Sequence, residues 1–335
     1  MINKIYEKIK KFIKNNFLFI LSIVIILFMF YYETPYIIYR PGGTIDLNKR
    51  VEVNLKYTEK GKIYMSYVTA MKGAPAFIIL SYILPDWDLY KISDVSDEDS
   101  YDKTLEVGKI YLNEGIDNAI ISAFNESDYN INITKEILDV IYISDNADTD
   151  IEVGDTIIKI NDKHINSFKD VREYINTLKE KEKVKVLVNN NGKEIERKAV
   201  VYRDEDNLLK IGIAFHTTYE YETEVPVKIK MENNESGSSG SFMMALKVYN
   251  ALTKEDITKG LKIVGTGSID ANGNIEEIGG VKYKVLGSER IKADVFFCPE
   301  ENYEEAMNIK NKRNLKINIV KVSNLKDAIK YLEGI

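Results

Sequence analysis

The sequence has few of the residues that build disulfides, metal centres and nucleic-acid interfaces. It contains one cysteine and two histidines among 335 residues, which excludes an intramolecular disulfide and gives no support to a zinc site or a histidine-centred triad. Its formal net charge of −6 leaves no basic surplus to neutralise phosphates, so nucleic acid is not predicted as a partner. No Gly-x-x-x-x-Gly-Lys-[Ser/Thr] phosphate loop occurs. We predict no metal and no cofactor.

The N-terminus joins a basic segment to an apolar run. Five lysines lie within residues 1–16, and residues 17–32 carry no charge, with Ser22 as their only non-aromatic polar side chain. The run is slightly shorter than the roughly 20 residues that cross hydrocarbon, but interfacial asparagines and tyrosines flank it. A cleaved signal peptide is the alternative, although no small-residue cleavage site follows. We predict a cytoplasmic basic segment at 1–16, a single-pass anchor at 17–34 and the remainder of the chain outside the cytoplasm.

Residues 129–216 have the pattern of a small domain. The stretch Val153-Gly154-Asp155 leads into a strand-like run, Ser167 can cap an amphipathic helix, and valines then alternate before an Asn-Gly turn. This order and the Val-Gly-Asp-x-Ile-Ile-x-Ile-Asn signature resemble a PDZ domain. Such domains bind extended peptides at a sheet edge, whereas a spacer that binds nothing is the alternative. No carboxylate-binding loop is recognisable near residues 129–138.

Most of the candidate functional residues lie between residues 235 and 284. A Ser/Gly loop runs directly into an apolar segment with helical spacing, which places hydroxyls and free amides at a positive helix end, suited to an attacking serine and an oxyanion. Gly265-Thr266-Gly267 follows, and Gly279-Gly280 precedes two lysines, Lys282 and Lys284. A lysine can serve as the base only if burial lowers its pKa. A flexible linker is the alternative interpretation of the Ser/Gly loop.

The order and spacing of Ser239, Thr266, Gly279-Gly280 and Lys284 resemble the proteolytic domain of the Lon proteases, which use a Ser–Lys dyad. Over its whole length the chain resembles the membrane-anchored, PDZ-containing Lon-like proteases of Gram-positive bacteria. The resemblance implies Ser239 as the nucleophile and Lys284 as the base. It also implies that Thr266 hydrogen-bonds the lysine.

The nucleophile motif departs from the family pattern. Relatives usually carry Gly-Pro-Ser-Ala-Gly, whereas this chain has Gly237-Ser238-Ser239-Gly240-Ser241. Ser239 is therefore assigned by spacing, with Gly237 and Gly240 as supporting positions. Lys282 is the rival base, but residues i and i+2 of a helix point apart, so only one of the two lysines can face the serine.

The predicted fold is α+β. An N-terminal transmembrane helix precedes a PDZ-like domain, 129–216, which is inserted in or precedes a Lon-type proteolytic α/β domain formed by residues 35–128 and 217–335. Within it, alternation in residues 50–55 and 62–69 predicts one β-hairpin, and the turn at residues 270–273 predicts another.

The resemblance implies a membrane-anchored, ATP-independent serine endopeptidase. Its partners would be exported or membrane-associated peptides and unstructured proteins, the lipid bilayer and, since Lon-type domains resemble ring formers, further copies of itself. The alternative is a non-catalytic, membrane-tethered PDZ scaffold with a degenerate protease fold. A third interpretation is a Ser–Lys amidohydrolase that acts on non-peptide substrates.

Overall fold

The computed structural model describes residues 2–55, 57–94 and 101–335. Met1 of the predicted basic segment, and Lys56 and residues 95–100 of the predicted 35–128 segment, lie outside the described residues. The helices are α1 (Ile2–Asn15), α2 (Phe17–Tyr31), α3 (Pro75–Ser81), α4 (Tyr101–Asn125), α5 (Phe168–Ile175), α6 (Ser241–Leu252), α7 (Val281–Glu289), α8 (Tyr303–Arg313) and α9 (Leu325–Glu333). The strands are β1 (Tyr36–Asp46), β2 (Val51–Val53), β3 (Lys62–Lys72), β4 (Asp88–Lys91), β5 (Ile131–Ile143), β6 (Thr156–Ile160), β7 (Lys163–His164), β8 (Lys183–Asn190), β9 (Lys193–Val200), β10 (Tyr202–Arg203), β11 (Leu209–Lys210), β12 (Ile213–Thr223), β13 (Val227–Ile229), β14 (Lys262–Gly265), β15 (Ser268–Ile269), β16 (Ile275–Glu276), β17 (Val295–Pro299) and β18 (Asn318–Val322).

The chain divides into two compact units. Unit 1 comprises Met1–Pro41 and Val68–Thr104, and unit 2 comprises Gly42–Tyr67 and Leu105–Ile335. In unit 1, the first residues of β1 pair antiparallel with β4, and the ring of Phe30 in α2 packs edge-on against Phe77 in α3.

The N-terminal helices differ from the predicted single span. Helix α2 has 15 residues and ends at Tyr31, and none of its residues is buried. No single helix of the described residues is long and apolar enough to cross a membrane. Ile5–Asn15 and Phe17–Tyr31, bent by 75° between them, reach the required length and composition only as a pair.

The protease-like part of unit 2 is built on a mostly parallel sheet. Its strand order is β18-β17-β14-β3-β1, and β3, β14, β17 and β18 are parallel to one another. Strand β17 is buried along its whole length, as expected for a central strand covered on both faces. Phe297 packs on one face in the core that contains α6 and α9. Phe296 and Cys298 pack on the other face with residues of α7 and α8.

One predicted hairpin is wrong and the other is confirmed. Strand β2 pairs antiparallel with β13 and β3 pairs parallel with β14, so the described residues of 50–55 and 62–69 do not form the predicted hairpin with each other. The alternating pattern indicated strands but carried no information about their partners, which lie about 180 residues further along the chain in the case of β2. The turn at residues 270–273 does join β15 to β16. There, Asp270 Oδ1 accepts hydrogen bonds from the amides of Asn272 and Asn274.

The PDZ-like part has its own sheet and its own core. The strand order is β12-β5-β6-β8-β9, with β7 paired to β6, and a separate apolar cluster fills the space beneath α5. Strand β12 crosses the predicted boundary at 216/217 and stays paired with β5 as far as Thr223, which lies opposite Ile131. Residues on both sides of this pair, such as Ile63 and Phe242, share one core. The PDZ-like part is therefore inserted in the protease-like part.

Candidate active site

Ser239 lies immediately before the N-terminus of α6. The helix begins at Ser241 with Gly240 as its N-cap, and the carbonyl of Ser239 accepts hydrogen bonds from Thr266 Oγ1 at 2.9 Å and from the Gly267 amide at 2.8 Å. These two bonds fix the Ser239 backbone at the positive end of the helix. Within the described part of the chain, the amides of Ser239 and Gly240 make no hydrogen bond, which leaves them available to an oxyanion.

The four serines of the loop differ in what their hydroxyls bind. Ser238 Oγ accepts from Ser268 Oγ at 2.8 Å. Ser241 is 1% exposed, and its Oγ accepts from the Ile269 amide at 3.0 Å. Ser236 is exposed. Ser239 is half-buried, and its Oγ makes no hydrogen bond to any described residue, so it is the hydroxyl at the helix end that no structural contact occupies.

Two glycines of α4, which the sequence analysis did not identify, let the serine loop lie against that helix. The Gly237 amide donates to the Gly108 carbonyl at 2.6 Å. A Cβ at Gly115 would lie 3.0 Å from Ser241 Cβ, so a larger residue there would push the loop away. Gly237 itself has a φ of 85°, a conformation that favours glycine. The signal available in the sequence was the spacing of Gly108 and Gly115, two turns apart on one helix face.

Gly240 also stands where a side chain would not fit. A Cβ at this position would lie 2.6 Å from Met65 Sδ. An alanine here, which the family motif places after its serine, would therefore require Met65 to move. The departure from the family pattern at residue 240 is thus matched by the packing of Met65 in β3.

Lys284 is a buried amine on α7. The helix follows Gly280, whose φ of 72° is left-handed, and Lys284 is 3% exposed among Val281, Val285 and other apolar residues. Burial lowers the pKa of Lys284 from 10.5 to about 7, and the nearby Cys298 opposes this fall. Among residues 2–55, 57–94 and 101–335, no group forms an ion pair or hydrogen bond with its amine. The amine is thus placed to exchange a proton near neutral pH.

Lys282 occupies a different environment. It is half-buried, and its ammonium lies over the Tyr283 ring, 5.4 Å from the centroid. The sequence left Lys282 as the rival base. In the structure, Lys282 contacts an aromatic face, and Lys284 is the lysine enclosed by the core.

Thr266 bonds both to the serine loop and to β17. Its amide donates to the Phe297 carbonyl at 3.1 Å, while its hydroxyl donates to the Ser239 carbonyl. The next residue of β17, Cys298, is close enough to Lys284 for their charges to interact. The resemblance implied a hydrogen bond from Thr266 to the lysine. The structure instead shows Thr266 holding the backbone of the serine at the ends of β14 and β17.

A concave surface lies on the PDZ-like part. A cavity of about 390 Å³ is bounded by α5, by residues 208–211 and by the start of β12. Its lining is mainly apolar and includes Phe168, Ile175 and Phe215. Strand β12 is the last strand of its sheet. The cavity therefore lies beside an open sheet edge, far along the chain from residues 129–138, where the sequence analysis found no carboxylate-binding loop.

Comparison with protein families identifies both parts. Residues 194–333 match the family model of the Lon protease (S16) C-terminal proteolytic domain, and residues 123–200 match the model of the PDZ domain. The matched ranges overlap at residues 194–200, and in the structure these residues form part of β9 in the PDZ sheet. The predictions of a serine-type peptidase domain and of a PDZ domain are confirmed.

Individual relatives agree with this assignment. The chain is 37% identical over 94 residues to a Lon protease of Aster yellows witches'-broom phytoplasma, covering 28% of this chain and 12% of the relative. It is 30% identical over 131 residues to a Lon protease of Halothermothrix orenii, covering 38% of this chain and 16% of the relative. The chain therefore spans less than a fifth of the length of either relative.

Among solved structures, the chain is similar to the PDZ domain of an SdrC-like protein from Listeria monocytogenes. The sequence identity is 22% and the TM-score 0.23, covering 25% of this chain and 92% of that chain. By the family models, residues 194–333 are similar to the Lon (S16) proteolytic domain and residues 123–200 to a PDZ domain.

Proposed function

We propose that the chain is a membrane-anchored, ATP-independent serine endopeptidase in which Ser239 is the nucleophile and Lys284 the base. The observation that carries this proposal is the environment of Lys284. The amine is fully enclosed, has no counter-ion among the described residues and has a pKa lowered to about 7. A lysine kept for structure alone gains nothing from losing its charge in this way. In a domain of the Lon proteolytic type, such an amine fits the role of a base.

The proposed reaction proceeds through an acyl-enzyme. The neutral amine of Lys284 takes the proton of Ser239 Oγ as this oxygen attacks the scissile carbonyl. The amides of Ser239 and Gly240 stabilise the resulting oxyanion. Lys284 then gives its proton to the leaving amine, which departs as the C–N bond breaks. Water, deprotonated by the same lysine, hydrolyses the acyl-enzyme and restores the free serine.

The proposed substrates are unstructured peptides and exposed segments of exported or membrane proteins. The sequence contains no phosphate loop, so this chain brings no ATP-driven unfolding of its own to the reaction. The apolar groove beside β12 supports recognition of an extended peptide by the PDZ domain. The apolar surface of α2, none of whose residues is buried, and the lysines before it support an N-terminal anchor, with the peptidase domain outside the cytoplasm.

The catalytic proposal is tested with the full chain purified in detergent. Fluorescently labelled casein serves as an unfolded substrate, with and without ATP. We expect Ser239→Ala and Lys284→Met each to lower kcat/KM by at least about a thousandfold, as is typical when a nucleophile or its base is removed. Lys282→Met is the matched control and should retain activity. Equal, ATP-independent hydrolysis by wild type and Ser239→Ala would exclude the assigned nucleophile, and no hydrolysis by wild type would favour the scaffold alternative.

The topology is tested separately. In intact protoplasts, an added protease should digest the residues that follow α2 if the peptidase domain lies outside. Protection of these residues, with digestion only after lysis, would reverse the proposed orientation.

A further inference from the structure

One edge of the PDZ sheet is open over part of its length. Strand β12 pairs antiparallel with β5, and Phe215, Thr217 and Tyr219 lie opposite Val140, Leu138 and Glu136. The amide of Val140 donates to the Asp155 carbonyl and that of Glu136 to the Asn166 carbonyl, so both point away from β12. These are therefore non-hydrogen-bonded pairs of the ladder. It follows that Phe215, Thr217 and Tyr219 direct their own backbone groups toward the open edge.

A side chain from the protease-like part already bonds the edge at Tyr219, the third of these residues. Asp117, on α4, accepts a hydrogen bond from the Tyr219 amide at 2.9 Å and another from the Tyr221 hydroxyl at 3.2 Å. Both carboxylate oxygens are thereby bonded to β12. Phe215 and Thr217 remain open beside the apolar groove, while Tyr219 is already satisfied.

We propose that Asp117 is a specificity-determining stop that limits how long a peptide segment the β12 groove can hold. The inference rests on the peptide-binding role proposed above. A segment added to the edge bonds every second residue of β12, so two open residues serve about four peptide residues. A longer peptide segment must displace the Asp117 carboxylate from the Tyr219 amide. This is unfavourable because hydrogen bonds to charged acceptors are about twice as strong as neutral ones.

The stop lies on the helix that also supports the serine loop. Gly108 and Gly115 face that loop. Asp117 follows Gly115 by two residues, and at 100° per residue this places it on nearly the opposite side of α4. A segment long enough to displace Asp117 therefore removes a contact from the helix against which the nucleophile loop packs.

The burial of Asp117 makes its strength as an acceptor depend on pH. Burial raises the pKa of Asp117 to about 6, the hydrogen bonds from Tyr219 and Tyr221 act against this rise, and Asp139 and Glu114 add to it. The carboxyl is thus ionised at pH 8 and largely neutral at pH 5, where it is a weaker acceptor. The other ionisable groups at this junction are His216, which pairs with Glu114, Glu136, which lies opposite Tyr219, and Asp270, whose charge reaches Tyr219.

The test measures binding against peptide length, in the full chain carrying Ser239→Ala to prevent hydrolysis of the probes. The probes are degenerate tetrapeptide and octapeptide pools with an N-terminal fluorophore and a free carboxyl end, followed by fluorescence anisotropy at pH 8. We expect the two lengths to bind the parent with similar affinity. Asp117→Ala should bind the octapeptides about fivefold more tightly than the tetrapeptides, the factor for one further net hydrogen bond.

Glu114→Gln is the matched control, because it removes a carboxylate from the same junction and leaves Tyr219 capped. Its two affinities should match those of the parent. The same length preference in the parent and in Asp117→Ala would overturn the stop. Binding of neither pool by any of the proteins would instead overturn the proposed recognition role, independently of hydrolysis.

A second readout uses the parent and Asp117→Asn and therefore does not depend on how Asp117→Ala folds. In the parent, lowering the pH from 8 to 5 should favour the octapeptides over the tetrapeptides, and in Asp117→Asn the ratio should not change with pH. An unchanged ratio in the parent would contradict the stop.

Discussion

Two lysines of unit 2 are equally buried and differ in their partners. Lys247, on α6, and Lys284, on α7, are each 3% exposed. The ammonium of Lys247 forms an ion pair with Glu59. Glu59 also accepts hydrogen bonds from the side-chain amides of Asn48 and Asn250. Lys284 lies among valines and beside Cys298 and has no such carboxylate. The two environments separate a lysine paired with a carboxylate from a lysine whose pKa burial lowers to about 7.

The difference shows that burial alone does not make a base. A counter-ion stabilises the charged form of a buried lysine, and its absence leaves desolvation to act unopposed. For Lys284, the fall in pKa from 10.5 to about 7 corresponds to roughly 5 kcal/mol of folding free energy. The buried, unpaired amine of Lys284 on α7 thus destabilises the protease-like core, whereas Lys247 on α6 has a counter-ion.

Removing the amine should reveal this cost. Because the folded-state pKa of Lys284 lies below the unfolded value, the wild type loses stability as the pH falls from about 10.5 to 7. Lys284→Met should therefore raise the free energy of unfolding by up to about 5 kcal/mol at pH 7, with a gain that shrinks toward zero near pH 10. Urea unfolding at both pH values measures it, with Lys282→Met as the control. A gain that is the same at both pH values would show that desolvation of this amine is not its source.

Removing the counter-ion of the other lysine should have the opposite sign. Glu59→Gln leaves Lys247 buried without its carboxylate and should lower the free energy of unfolding by about 3 kcal/mol, as for other broken buried pairs. The double substitution Lys247→Met with Glu59→Gln should recover most of the loss. Urea unfolding at pH 7 compares the three proteins. A loss below about 1 kcal/mol in the single variant would mean that the pair contributes no more than a surface ion pair.

The smallest effect is expected at Thr266, whose hydroxyl bonds the backbone of Ser239. Thr266→Val removes the hydrogen bond to the Ser239 carbonyl, and a neutral bond of this kind contributes about 1 kcal/mol. We expect a loss of stability of that size and a roughly tenfold lower kcat, because the serine is less well positioned. Thr266→Ser retains the hydroxyl and should behave like the wild type in casein hydrolysis. If Thr266→Val keeps full kcat, the bond serves folding only.

The sequence predicted those features that are encoded locally. The PDZ strand and helix order and the turn at Asp270 depend on short patterns, and the structure contains them. Thr266 was identified by resemblance, but its hydroxyl bonds the carbonyl of Ser239 and not the lysine.

Features that depend on distant partners could not be predicted. The pairing of β2 with β13, the contact of Gly108 and Gly115 with the serine loop, and the contact of Asp117 with β12 all join segments about 100 residues or more apart. Alternation or helical spacing marks such residues as members of a strand or a helix face. It does not say which surface they meet.

The PDZ domain leaves and re-enters the protease core through one pair of neighbouring strands, with Ile131 opposite Thr223. Two chain ends held side by side can be joined by a short turn, so the whole PDZ domain is separable at a single place on the molecule. One insertion or deletion there adds or removes this domain and leaves the protease-like part with its own core.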